Sequence, residues 1–593
     1  MCAVFASGGD ASAEGPRYER RVVALRVTHQ PFLEDRPWAK ANPQLRNGSA
    51  VVVAGPALLT EAEMVRDATL IQVEKHGSGA RVPARVLHVD QEIDLALLAV
   101  DDPGFFADLE PASIASSVPT EGVVRTLRWQ NRSLEDANGR VTRVEVSRSP
   151  YGSVQHAFLV VTTDLFGGGW SEPVFLDGRL IGLTAAQSAK LASIVPAEIL
   201  RRYVAEATLP EYPGFASLGI AWQPNQGSTL ARYLGLRGPP RGVVIRQVPW
   251  GSSGCSVLEP GDVLLALDGH AIDSTGNYRH PRYGQIGLEN LVAEGRRPGD
   301  RVRARVLRAE REQEVWIPLR RHLSTLALVP PRRDGQAPPY LVAGGLVFRE
   351  LDGRYLAAFG EPWRRKAPLR LTVLFDLEGS SQAPGRRRVV ILTRVLPAAY
   401  NIGYHALENL VVSEINGRPV DSIDAAAEAF EHPAGGFHRV RFVPNEQRAE
   451  LVLDAASFAP ESAEILAAYG IPAPLRRDLR LPPDLGPACP PAPSPAREST
   501  GAPALAALGN LETLALEGAR EDHAPAVDQL RRGPDDLLLR ARGVAERLHQ
   551  PRTRREHEHG PGLGSPPTPR RPSSRSRTRG SRGRRARGRS RWP

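Results

Sequence analysis

The chain has 593 residues, 41% hydrophobic and 24% charged. That suits three or four globular domains at about 150 residues each and excludes a wholly disordered chain. No apolar run reaches the ~18 residues that a membrane-spanning helix requires. The net charge of +10 is uneven: residues 551–593 hold 14 Arg against 2 Glu, a local +12, which leaves −2 for the other 550 residues. The basicity belongs to a tail, so any nucleic-acid partner is expected to act through that tail alone.

In chain order, residues 1–19 are small and polar and read as a disordered N-terminus. They lack the basic start and apolar stretch of a secretory signal. The chain as given therefore reads as cytoplasmic, or as periplasmic or exported if its true start lies upstream. Residues 20–207 carry many short β-rich runs, among them "RVVALRV", "SAVVVAG" and "DLALLAV", separated by Gly, Pro, Asp and Asn. Such runs predict the strands of an antiparallel barrel or sandwich. "PVFLDGRLIGL" predicts a hairpin turning at Asp177-Gly178, and "PAEILRRYVAEA" a closing helix with Pro196 in its first turn.

Two further segments, 212–321 and 340–455, share one plan. Each has a strand, a loop, a strand ending in Asp-Gly or Asn-Gly, an amphipathic helix and two closing strands. The plan predicts a duplicated α+β module, the second carrying an insertion over 349–386. Residues 456–593 are Pro- and Arg-rich and read as a largely disordered tail. Cys2, Cys255 and Cys489 stand too far apart for a CxxC metal pair or a disulfide framework, and no metal or cofactor is expected.

Over residues 20–455 the chain resembles the HtrA/Deg family of trypsin-like serine proteases with PDZ domains, most of all its plant organellar members. "RPWAKANPQLRNGSAVVVAG", "LLTEAEMV", "VLHVDQEIDLALLAVDD" and "VVTTDLFGGGWSEPVFLDGRLIGLTAA" stand in the family's order, followed by "SLGI", "LEPGDVLLALDG" and "GDRVRARVLR". The resemblance implies a mainly β, multidomain chain: a trypsin-like double β-barrel, then two PDZ-like α+β domains, then the tail. It also implies partners that are unfolded or C-terminal segments of proteins, and a homo-oligomer, a trimer, with Phe32 and Trp38 in the segment that the family uses for trimer contacts.

Serine-protease chemistry needs a hydroxyl nucleophile, an imidazole to take its proton and a carboxylate to orient the imidazole. Carried over by motif, the aspartate is Asp94, the histidine position holds Glu63 and the serine position holds Trp170. Glu63 beside Asp94 is expected to repel rather than relay, and Trp170 offers no nucleophilic atom. The amides of Gly168, Gly169 and Trp170 could still form an oxyanion-hole-like turn. Ser171 is the alternative nucleophile of a rearranged active site, yet His29, His76, His88 and His156 all lie outside the helical-turn motif. His88 reads as a packing or surface residue. The expectation is a proteolytically silent domain, with an active serine endopeptidase using Ser171 as the rival reading.

A PDZ module adds an extended peptide to a sheet edge and holds its carboxylate with loop N–H groups. In the first module these positions fall on Ser217, Leu218, Gly219 and Ile220, opposed by Leu288, Leu291 and Val292 of the helix. In the second the loop candidate is Gly345–Phe348, and peptide binding there is not expected.

Overall fold

The computed structural model of the chain describes residues 18–477 except 131, 166–169, 250, 322–323, 333–335, 379–386 and 445–446. The readings made for residues 1–17 and for the basic tail lie outside the described residues.

Six strands close the first barrel: β1 (Val22–His29), β2 (Gln44–Val53), β3 (Ala57–Thr60), β4 (Ala68–Glu74), β5 (Arg81–Asp90) and β6 (Leu95–Val100). Their order around it is β1-β2-β3-β6-β5-β4. A single turn of helix, α1 (Ala62–Val65), lies between β3 and β4. The second barrel comprises β7 (Val123–Gln130), β8 (Ser133–Ser147), β9 (His156–Thr163), β10 (Pro173–Leu176), β11 (Arg179–Ser188) and β12 (Leu191–Pro196), in the order β10-β11-β12-β9-β8-β7. Alternation decides which face each side chain takes: Leu25 and Val27 of β1 are buried while Arg26 between them is half-buried. The expected hairpin is present, with Asp177 and Gly178 both at positive φ (47° and 74°) and Leu176 paired with Arg179. Helix α2 (Ala197–Glu206) follows, with Pro196 one position earlier than expected, as its N-cap. Val22, Leu59 and Leu97 from one barrel meet Phe158, Leu183 and Tyr203 in a shared core, which fixes the cleft between the barrels.

The first α+β module is a sheet whose edge strand, Ala221–Pro224, pairs with Val243–Gln247, followed by Val263–Leu267, Arg301–Arg308 and Arg311–Pro318. Its helix is one turn, Asn290–Ala293, shorter than the sequence suggests. Asn290 anchors it to the second barrel, its Oδ1 accepting the Ala157 N–H at 3.0 Å. Cys255 is disulfide-bonded, against the expectation from its spacing.

The second module runs further than 455. Helix Phe458–Ala468 packs through Ile465, and strand Leu475–Arg476 pairs with Tyr340–Leu341, so residues 456–476 belong to the fold rather than to a disordered tail. The physical reason is apolar: Phe458 and Leu475 pack against the module core, a signal masked in the sequence by neighbouring prolines. Among its described residues the insertion forms three short α-helices and a π-helical turn (Leu374–Glu378), and its Leu356 and Leu371 pack on Leu328 and Val329 of the connecting segment. This module is clamped to the first barrel. Arg349, 1% exposed, reaches Glu34 at 2.6 Å and Asp352 at 3.1 Å. Tyr340 meets Trp38 edge-on at 5.8 Å, and Arg476 lies over the Phe32 ring at 4.8 Å.

Candidate functional site

Asp94 and Glu63 meet at the cleft through the backbone. The Glu63 N–H donates to Asp94 Oδ1 (2.9 Å), and the Ser149 hydroxyl donates to Asp94 Oδ2 (2.7 Å). Those two hydrogen bonds favour the carboxylate, but burial outweighs them and pushes the Asp94 carboxyl up to about 7. The Glu63 side chain is held in a cluster of arginines. Its Oε1 accepts from Arg66 at 2.6 Å and lies 3.4 Å from Arg46, and its Oε2 accepts from Arg332 at 2.8 Å. The expected carboxylate–carboxylate opposition is present: the Glu63 charge raises the Asp94 carboxyl, by less than burial does but by more than the Arg332 charge lowers it. Arg332 comes from the segment joining the two α+β modules and also lies over the Tyr151 ring (4.9 Å).

Trp170 sits beside this cluster, half-buried, with the Arg46 guanidinium 4.5 Å from its ring centre and Tyr151 at 6.0 Å. Its carbonyl accepts the Ser49 N–H, an approach that Gly48 permits: a Cβ there would stand 2.8 Å from the Trp170 oxygen. Gly168 and Gly169, the other two residues of the expected oxyanion turn, lie outside the described residues. Ser171 is fully buried at φ 56°. Its Oγ accepts the Glu61 N–H (3.1 Å) while its own N–H donates to Glu61 Oε2 (2.9 Å). Burial, then the nearby Asp94, holds the Glu61 carboxyl well above the usual range.

Among the described residues no histidine contacts Ser171 or Asp94. His88 lies between Tyr203, whose hydroxyl is 3.1 Å from its Nδ1, and Tyr212, which fits its reading as a packing residue. His156 is buried, stacks on Phe158, and burial lowers it to about 4. His76 stacks on Trp129, and His29 is on β1. Arg46, Glu61, Ser149, Tyr151 and Arg332 were not singled out in the sequence. Glu61, two residues before Glu63 in "LLTEAEMV", had the nearest thing to a signal.

In the first α+β module, Gly219 adopts φ 62° and donates its N–H to Ser217 Oγ (3.2 Å). Leu218, Leu288 and Val292 lie in the module core, while Ile220 and Leu291 keep partial exposure. The edge strand Ala221–Pro224 has no second strand partner among the described residues, and Trp222 reaches across to Glu289 at the helix start (2.8 Å). The second module differs. Gly344-Gly345 form a tight turn, and Leu346–Glu350 continues as a buried strand rather than a carboxylate loop. Its outer edge is paired with Tyr340–Ala343, which packs beside the helix Ile423–Phe430. The position an added strand would take is occupied by the chain itself.

Two closed barrels sharing a cleft, followed by sheet-and-helix modules of this plan, define a trypsin-like, PDZ-bearing protein. Residues 48–183 match the trypsin-like peptidase domain model and residues 329–478 the PDZ domain model. The chain is 25% identical to the Arabidopsis thaliana "Protease Do-like 2, chloroplastic", over 78% of this chain and 75% of that one. It is 24% identical to "Putative protease Do-like 3, mitochondrial" of the same plant, over 77% and 80%. Among solved structures, "HtrA-type protease AlgW with tripeptide" aligns at a TM-score of 0.40 and 20% identity, over 52% of this chain and 96% of that one. The chain belongs to the HtrA/Deg family.

Proposed function

We propose that this HtrA/Deg-family chain is a pseudoprotease: its trypsin-like domain does not cleave, and its first PDZ module binds C-terminal or extended segments of other proteins, as in protein quality control. The observation that carries this reading is the Glu63 cluster. Where a serine protease needs a proton-accepting imidazole, a carboxylate is held by Arg46, Arg66 and Arg332, and Trp170 stands beside them. The buried Ser171 Oγ is engaged by the Glu61 backbone N–H, with no histidine in contact among the described residues. The open edge strand Ala221–Pro224, next to Gly219 and Ile220, supports peptide addition at the first module. Family membership suggests a homo-oligomer.

The test has two arms. Purified chain is expected to leave casein intact and a fluorophosphonate probe unlabelled, while binding C-terminal peptides in fluorescence anisotropy. Casein cleavage that disappears in Ser171→Ala would establish an active endopeptidase instead.

A further inference from the structure

A cavity lies between the outer face of the first barrel and strands β7 and β8 of the second. It has a volume of about 340 Å³, within the range of small-molecule sites. Its floor is a cross-strand row: Arg26 on β1 stands opposite Asn47 on β2 and opposite Gln72 on β4. Directly opposed residues of neighbouring strands share a face, and because Leu25 and Val27 point into the core, that face is the outer one. Trp129, backed by the His76 ring at 5.8 Å, forms a wall, and Arg132 stands at the exposed rim.

The charge inventory of this cavity is one-sided. Three guanidiniums line it (Arg26, Arg81 and Arg132) against one carboxylate, Glu74, which Arg81 already engages at 3.3 Å. Arg26 is half-buried yet has no hydrogen-bond or ion-pair partner among the described residues. A partly desolvated guanidinium gains most from an oxyanion that accepts its planar N–H fork in bidentate fashion, and flanking carboxamides supply further donors.

We infer that this cavity is a binding site for a small organic oxyanion, a carboxylate or a phosphate ester, with Arg26 as its anchor and Asn47 and Gln72 as neutral donors. The inference does not rest on the pseudoprotease reading: Arg26, Asn47 and Gln72 make no contact with Glu63 or Ser171, and Gly48 is the one lining residue that also touches Trp170.

Titration calorimetry of the full chain at low ionic strength, with citrate in one arm and glycerol 3-phosphate in the other, tests it and distinguishes the two sources. One saturable equivalent with a Kd below about 1 mM is expected from at least one arm, weakened about tenfold or more in Arg26→Ala. Arg26→Lys, which keeps the charge and loses the fork, should fall between the two. Binding that is equal in wild type and Arg26→Ala would locate the anion on other arginines and overturn the inference, as would no binding from either probe. If Arg26→Ala does not fold, Arg26→Lys and Gln72→Ala decide: weakened binding supports the site, and unchanged binding in both refutes it.

Discussion

Replacing Asp94 by asparagine should stabilise the trypsin-like domain, and should do so more at high pH. In the folded chain burial lifts this carboxyl from its ordinary 3.8 to about 7, and among the described residues no imidazolium stands beside it to favour the anion. The folded state then binds the proton more tightly than the unfolded state, so stability falls as pH rises from about 4 and levels off above about 7. At 1.36 kcal/mol per unit of pKa difference, ionising Asp94 costs about 4 kcal/mol by pH 8 and about 2 kcal/mol at pH 5. The asparagine would keep an oxygen to accept the Glu63 N–H and present an amide to Ser149, with no charge to desolvate. The gain from Asp94→Asn should therefore grow by about 2–3 kcal/mol between pH 5 and pH 8, on the order of 5–10 °C in Tm for a domain of this size. Thermal unfolding followed by circular dichroism at pH 5, 6 and 8 reads it directly. A variant less stable than wild type at pH 8, or a gain independent of pH, would refute the reasoning and imply an unseen cation beside Asp94.

Glu92, which accepts two hydrogen bonds from Ser324 and is raised to about 7 by burial, should behave alike: Glu92→Gln is expected to flatten the same pH dependence, measured in the same way. Arg332→Ala removes the ion pair to Glu63 and the cation–π contact with Tyr151, but leaves Glu63 with Arg46 and Arg66. A loss of about 1–2 kcal/mol in urea unfolding is expected, with faster proteolysis of the segment joining the modules. Gly345→Ala should cost about 2–4 kcal/mol in the second module. Its φ is +84°, and a Cβ would stand 2.3 Å from Asn401 Nδ2 and 2.9 Å from the Leu396 oxygen. A thermal scan showing an unchanged transition would contradict that strain.

The double barrel was legible because its signals are local. Alternation in β1 and the Asp-Gly turn after β10 act within a few residues, and motif order placed Asp94, Glu63 and Trp170 without tertiary information. What the sequence concealed was set at long range. Arg332 lies 269 positions from Glu63, and no local pattern marks it as the residue that reaches the cleft. The extra strand Leu475–Arg476 is two residues long and surrounded by prolines, and only its pairing with Tyr340–Leu341 makes it a strand. The apolar residues assigned to the first peptide groove show the limit of spacing as a signal. Leu288 and Val292 have helical spacing, but spacing alone does not distinguish a wall of the groove from its supporting core.

The hairpin that begins at Tyr340 has a thermodynamic consequence. A ligand strand tied by two glycines to the edge it covers is presented at an effective concentration in about the millimolar range or above. A free peptide would have to displace it at every encounter, and even saturating competitor would leave the tethered strand poised to return. The second module's strand is thus tied into a structural role, holding the barrel loop that carries Glu34 and Trp38, and the proposed peptide binding is assigned to the first module.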